Sequence, residues 1–436
     1  MGTTISTNHD PQQYKFVKDA EQACYEYFGS VKLQEEWVTI DHSAIENKDD
    51  VSDLACDPQA LLAHVKRIRC LKLLLSSSSR PSNRGDHKYD RKSSAPSNSP
   101  DNTDRSNDFT VESPNKTKDD RQNRGHKGHI NRHRSRKVLL IHGGGGEAAD
   151  WAPLLPQLIE QQKRQDQLSN EYEFWIFDRP GHGQADPFDY LKHIPTPCSA
   201  SAPMMDLFHV AIIDQIRQHM LSGMVAGDAT DQDAAKIDIV GNSMGGLIGY
   251  YFAKHRPQYT RSLTWIGSPA FFDGQAMPIP RLLPFLFDTW ITSAIASLFA
   301  RSAPKIIPKT LLTSTFHHPS SSIGDCMIHL MCETMKLRNN ALSSVSLFRC
   351  VLSNLHSYKF ALESLTMTPL LKDVPKYLIV GCNEPFMRPL SKHLPRFEKN
   401  LGGKSNVVVK GIGHLPWLDD PSGVAESLFQ LLERQK

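Results

Sequence analysis

Ile239-Val240-Gly241-Asn242-Ser243-Met244-Gly245-Gly246 places one serine between glycines directly behind a short apolar run. The stretch reads as a nucleophile elbow. A strand over 236–240 would deliver the chain into a turn too tight for side chains at Gly241 and Gly245, and a helix over 245–255 would carry it away. Ser243 is left at the apex with its hydroxyl exposed. The Gly-x-Ser-x-Gly spacing alone also occurs in ordinary Gly-rich turns, so the reading rests on the strand-like residues before it and the helix-forming residues after it.

Upstream, Val138-Leu139-Leu140-Ile141 is a continuous apolar run, as expected of a strand buried on both faces, and it ends in His142-Gly143-Gly144-Gly145-Gly146. Consecutive glycines are entropically costly, which points to a backbone that must come close to a phosphate or to a developing oxyanion. A phosphate loop would need Gly-x-x-x-x-Gly-Lys-Ser/Thr or Gly-x-Gly-x-x-Gly at this place, and here Gly146 runs into Glu147 with no lysine. Backbone N–H groups donating to a transition-state oxyanion fit better. Another buried strand, Phe174-Trp175-Ile176-Phe177, runs into Asp178-Arg179-Pro180-Gly181-His182-Gly183. After the elbow come strand-like runs at 262–267, 377–381 and 406–410, with helical patterns at 203–220 and 422–434. Alternating strands and helices predict a parallel sheet wound through right-handed crossovers.

Four motifs thus stand in order: His142-Gly143-Gly144, Asp178-Arg179-Pro180-Gly181-His182-Gly183, Gly241-Asn242-Ser243-Met244-Gly245-Gly246, and Gly411-Ile412-Gly413-His414. On these motifs the segment 138–436 resembles the α/β-hydrolase family. The resemblance implies an α/β fold, the α/β-hydrolase fold, with a mostly parallel sheet, helices on both faces and a helical cap formed by an insertion at about 271–369. The family's triad runs Ser, acid, His. Ser243 would be the nucleophile and His414 the base. The acid departs from the commonest pattern, because Glu384 stands where members usually carry Asp after the strand ending at Gly381; Asp273 is the alternative acid. By the same resemblance the oxyanion donors are the backbone N–H groups of Gly144 and Met244. Asp178 is expected to shape its loop and Asp420 to cap the final helix, neither being catalytic.

The expected function is a serine hydrolase that cleaves an apolar carboxylic ester through an acyl-enzyme, with no metal or organic cofactor. The Gly-Asn-Ser-Met-Gly-Gly wording is also similar to carbon–carbon bond hydrolases of ring-cleavage products. Epoxide hydrolases and haloalkane dehalogenases are disfavoured because they place Asp where this chain has Ser243. From a different class, a non-catalytic binding module on the same fold is the competing expectation.

Composition bounds the rest. Of 436 residues, 39% are hydrophobic and 22% charged, which predicts a globular part diluted by a polar one. The polar part is 76–137, dominated by Ser, Asn, Asp, Arg, Lys and His; from 80 to 137 there are 15 Lys plus Arg against 8 Asp plus Glu, a local +7 in a chain that carries +3. Such a segment is expected to be a disordered insertion. His126, His129 and His133 lie within its basic end, but no aromatic residue is interleaved to stack on bases, so a solvated linker is favoured over nucleic-acid binding. Ahead of it, 1–75 contributes strand-like runs at 36–40 and 67–74, read as the first two strands of the core, with a basic amphipathic helix over 58–75 as the competing reading.

Eight scattered cysteines and no basic-then-apolar leader point to a reducing, cytoplasmic setting. The opening Met1-Gly2-Thr3-Thr4-Ile5-Ser6 fits the loose N-myristoylation pattern. The apolar stretch 282–300 is long enough to invite a membrane-spanning reading, yet it lies between strands of one sheet. It is expected instead to form cap helices that line the pocket of a small apolar or lipid-like substrate, or touch a membrane peripherally.

Overall fold

The apolar runs behind the motifs become neighbouring strands because their residues alternate between two cores. In the computed structural model the residues described are 11–29, 31–41, 62–74, 135–164, 171–186, 188, 190, 201–222, 233–267, 321–336, 371–387 and 389–434. Eight strands, β1 (Leu33–Thr39), β2 (Arg67–Leu73), β3 (Ser135–Ile141), β4 (Glu171–Phe177), β5 (Ile237–Asn242), β6 (Thr260–Ile266), β7 (Lys376–Val380) and β8 (Val407–Val409), form one sheet in the order β1-β2-β4-β3-β5-β6-β7-β8. Only β2 runs antiparallel to its neighbours; every other pair is parallel.

Helices α1 (Pro11–Phe28), α2 (Leu155–Arg164), α3 (Ser201–Leu221), α4 (Met244–His255), α5 (Ser321–Lys336), α6 (Leu390–Asn400) and α7 (Pro421–Glu433) cover both faces. Leu139 and Ile141 of β3 pack with Phe208 and Ile212 of α3, Leu247 of α4 and Phe397 of α6. Val138 and Leu140, one residue out of phase, join the opposite core with Leu158 of α2, Leu428 and Phe429 of α7, Ala20 of α1 and Leu330 of α5. That period-two division explains why the run is apolar at every position.

Strand β3 begins at Ser135, so 135–137 belong to the sheet and not to the polar insertion that the sequence suggested. The charges there have distant partners. Arg136 forks onto the buried Asp238 of β5 at 2.9 to 3.2 Å and donates to the Leu432 carbonyl at 2.8 Å, while Lys137 reaches Glu173 at 2.8 Å. The rest of the insertion, 76–134, lies outside the described residues.

Before the insertion, 67–73 is strand rather than helix. Ile68 and Cys70 enter one core and Leu71 and Leu73 the other. Arg69, on the second side, meets Glu21 of α1 at 3.0 Å, Glu35 of β1 at 3.1 Å and Asp178 at 3.0 Å. Helix α1 has no counterpart in the sequence reading. Among the described residues no helix is long and apolar enough to cross a membrane; the stretch 282–300 lies outside them, as does most of the expected cap apart from α5.

Candidate active site

Strand β5 ends at Asn242, and the chain turns through Ser243 before α4 starts. Ser243 has φ 49° and ψ −115°, and among the described residues it alone of the non-glycines has a positive φ. Such a backbone costs on the order of 1–3 kcal/mol and persists only where its surroundings enforce it. Here a Cβ at Gly241 would strike the Gly246 nitrogen, and one at Gly245 would strike the Ile141 and His142 carbonyl oxygens. The bare backbone lets the elbow seat against the end of β3. The Ser243 carbonyl then accepts from the N–H groups of Gly246 at 3.0 Å and Leu247 at 3.3 Å, starting the helix.

The glycine run after β3 lies on this elbow. A Cβ added at Gly143 would sit 3.5 Å from the Ser243 Cβ and 2.6 Å from the Asn242 Oδ1. Three donors hold the Gly143 carbonyl: Gly146 N–H at 3.2 Å, His142 Nδ1 at 3.0 Å and Arg179 Nη2 at 2.5 Å. The His142 tautomer follows from its neighbours. The Arg179 backbone N–H donates to Nε2 at 3.1 Å, so the ring proton is on Nδ1 and is given to Gly143. Burial first, and then the Arg179 charge, keep this imidazole well below its ordinary pKa and hence neutral. Gly144 and Met244, the expected oxyanion donors, therefore lie on the two segments that meet at Ser243.

Behind the glycines a short 3-10 turn, Ala148–Trp151, is closed by Asp150, whose carboxylate accepts the Glu147 N–H at 3.2 Å. Burial raises the Asp150 pKa to about 7 and pushes Glu147 well above the usual carboxylate range. Asp178 takes the Ala148 N–H at 2.8 Å on one oxygen, and the Gln184 N–H at 3.1 Å with Arg69 on the other. It ties β2, the glycine run and its own loop together.

Glu384 and His414 come from the turns after β7 and β8. Those turns are stitched by Cys382 N–H to Gly411 O at 3.1 Å and Asn383 N–H to Ile412 O at 2.8 Å. Glu384, fully buried, thereby faces His414, whose Nδ1 lies 2.9 and 3.1 Å from the two carboxylate oxygens. The Nδ1 proton is donated to Glu384, which leaves the Nε2 lone pair for base chemistry. Asn242, next to Ser243, donates to the Ile266 carbonyl at 2.7 Å and reaches the His414 carbonyl at 3.5 Å. This brings the imidazole-bearing turn up against the elbow.

Asp273, the alternative acid, lies outside the described residues. Asp420 caps α7 through the Gly423 N–H at 2.8 Å. Its neighbour Asp419 was missed by sequence reasoning, although its carboxylate takes both Ile412 and Gly413 N–H groups at 3.1 Å and so shapes the turn carrying His414. Arg179, to which the sequence motif assigns no role, is fully buried against the glycine run.

A profile of the Alpha/beta hydrolase family matches residues 138–427. The chain belongs to the α/β hydrolase family. Among solved structures this α/β hydrolase is similar to a single-residue variant of aCif, at 10% identity and TM-score 0.52 over 99% of each chain. It is similar to the Cif epoxide hydrolase from Acinetobacter nosocomialis, at 10% identity and TM-score 0.51 over 99% of this chain and 100% of that one. A thermophilic esterase from Thermogutta terrifontis matches at 16% identity and TM-score 0.45, over 69% of this α/β hydrolase and 90% of the esterase. The likeness to the first two is one of fold. No curated protein matches the sequence.

Proposed function

We propose that this α/β hydrolase is a serine hydrolase that cleaves an apolar carboxylic ester through an acyl-enzyme. The observation that carries the reading is Ser243, held at φ 49° against Gly143, beside a turn in which Glu384 already orients His414 at 2.9 Å. His414 Nε2 takes the Ser243 proton as Oγ attacks the ester carbonyl, and Glu384 stabilises the imidazolium. The N–H groups of Gly144 and Met244 receive the tetrahedral oxyanion. Collapse expels the alcohol, which takes the proton from His414. Water, activated by the same imidazole, then releases the acid and regenerates Ser243.

The epoxide-hydrolase fold neighbours give a second chemistry to test, and the similarity of Gly241–Gly246 to carbon–carbon hydrolases gives a third. A carboxylate nucleophile is what the family's epoxide chemistry requires, and position 243 carries a hydroxyl. The test is fluorophosphonate labelling of wild type, Ser243→Ala and His414→Ala, alongside turnover of p-nitrophenyl esters of increasing chain length and of a terminal epoxide. Labelling and ester turnover are expected in wild type and lost in both variants. A folded wild type that resists the probe while opening the epoxide would overturn the serine mechanism. One that labels but cleaves no ester would move the reading to carbon–carbon hydrolysis. No labelling and no turnover would favour a binding module.

A further inference from the structure

Helix α1 and helix α5 come from opposite ends of the fold's wiring, one before β1 and the other within the connection from β6 to β7. They meet on the same side of the sheet, where Ala20 and Cys24 of α1 share a core with Met327 and Leu330 of α5. At that meeting Cys24 and Cys326 place their Sγ atoms 2.7 Å apart, with the Cys24 thiol also 3.4 Å from the Cys326 carbonyl. Both are free thiols. Two packed helices carry these residues and hold the sulfurs within reach of each other.

We propose that Cys24 and Cys326 are a reversible dithiol–disulfide site that takes a low-molecular-weight disulfide, of the glutathione type, as its oxidant and in the oxidised form ties α5 to α1. The two thiols have different access. Cys24 is fully buried, whereas Cys326 is half-buried and is the one an oxidant can reach. The hydrogen bond from Cys24 favours the Cys326 thiolate and holds that thiol below its ordinary pKa, while the same bond, followed by burial, pushes Cys24 up. The more accessible partner, Cys326, is therefore the better nucleophile.

The chemistry balances in two exchanges. The Cys326 thiolate attacks one sulfur of glutathione disulfide, forming a mixed disulfide and releasing one glutathione thiolate, which takes up the proton that Cys326 lost. Cys24 then gives up its proton as its sulfur attacks Cys326 Sγ, and the second glutathione leaves as a thiol. Two protein thiols are oxidised to one disulfide, and glutathione disulfide is reduced to two glutathiones. Excess glutathione reverses both steps. A bridge that opens and closes is the form such pairs take where thiols are kept largely reduced.

The bridge bears on the active site through the same helix. Two turns beyond Cys326, Thr334 donates its hydroxyl to Glu147 at 2.7 Å, and Glu147 directly follows the glycine run 143–146. Oxidation fixes the helix that holds Glu147, the residue next to this run, whatever bond the enzyme cleaves.

The full-length protein is equilibrated with glutathione disulfide, quenched in acid, alkylated, digested and analysed by mass spectrometry, with its unfolding midpoint measured before and after. The expected result is a Cys24–Cys326 linked peptide pair that excess glutathione removes. The expected midpoint rise of several degrees on oxidation is absent in Cys24→Ser and Cys326→Ser. Exposed Cys382 serves as the internal control for oxidant exposure. Glutathionylated Cys382 beside fully alkylatable Cys24 and Cys326 would overturn the proposal. So would Cys326 halted at the mixed disulfide, or bridged to Cys332 instead. These readings need only the wild type, so a variant that fails to fold leaves the test intact.

Discussion

Arg179 is a fully buried guanidinium that donates to the Gly143 carbonyl, contacts the Met244 sulfur at 3.7 Å and leaves its Nε without a hydrogen-bond partner. Burial lowers its pKa only to about 10, so it stays charged at neutral pH. In a trans peptide the carbonyl of one residue and the N–H of the next point in opposite directions. Pinning the Gly143 oxygen therefore fixes where the Gly144 N–H points. Under the proposed serine mechanism, Arg179→Met is expected to lower kcat on an ester about tenfold to a hundredfold with little change in KM, since the loss would fall on orientation of the Gly144 donor to the oxyanion. Arg179→Lys should restore only part of it, because a single ammonium cannot serve both Gly143 and Met244. Steady-state kinetics check both. Glu384→Gln, which keeps the shape but loses the charge facing His414, should cost roughly 10²- to 10⁴-fold in kcat with an unchanged circular dichroism spectrum. The Ser243 elbow and the Glu384–His414 pair were legible in the sequence as geometry, because each residue sits at a fixed step after an apolar strand. Arg179 and Asp419 could not be assigned this way, since what they do is bind backbone groups whose directions no sequence pattern records.

Helix α1 shows why an element can be invisible in sequence and still hold the fold. Its buried stripe is Val17, Ala20, Glu21, Cys24 and Tyr25, with Tyr25 its one large buried side chain and a carboxylate interrupting it. The stripe is buried because Arg69, projecting from β2, meets Glu21, and because α5 covers Cys24. Arg69→Met would leave Glu21 and Asp178 together in the interior with their shared cation gone. Breaking a buried cluster from one side costs about 3–5 kcal/mol, which urea unfolding monitored by circular dichroism should register as a lower midpoint. The turn Ala148–Trp151 carries a second electrostatic load in Asp150. Its folded pKa, about 7 against an ordinary 3.8, is raised first by burial and then by nearby Asp178, against the Glu147 N–H and Arg179. Between those two pH values the folded state binds the extra proton, so stability falls as pH rises through this window, by up to about 1.4 kcal/mol per pH unit from this group. Asp150→Asn keeps an acceptor for the Glu147 N–H but cannot titrate. Urea midpoints from about pH 4.5 to 7.5 should fall less steeply in the variant than in wild type, and parallel profiles would contradict the assignment.

Across the whole molecule, the central strands were legible because burial on both faces demands unbroken apolar runs, as in Val138–Ile141 of β3 and Phe174–Phe177 of β4. The β1–β2 edge was less so, because Arg67, Arg69 and Lys72 find partners only once the chain is folded: Asp186 for Arg67, Glu21, Glu35 and Asp178 for Arg69, and Glu173 for Lys72. The same sheet decides what the basic stretch between β2 and β3 has to do mechanically. Strand β4 lies between them, antiparallel to β2 and parallel to β3, so the end of β2 and the start of β3 are at the same end of the strands. Two strand spacings amount to about 10 Å, a distance that about ten residues can cross with slack. Residues 76–133 are therefore far more chain than the crossing needs. Replacing them with about ten residues of Gly and Ser should leave ester turnover intact. It should also raise the unfolding free energy by about 1.5 kcal/mol, the closure entropy of a loop shortened roughly sixfold. Unfolding midpoints and kcat on the shortened chain decide it. A loss of stability would mean that the basic stretch packs on the sheet and belongs to its core. Retained stability with lost turnover would place it in the catalytic cycle, and retention of both would leave its charge to act on something outside the enzyme.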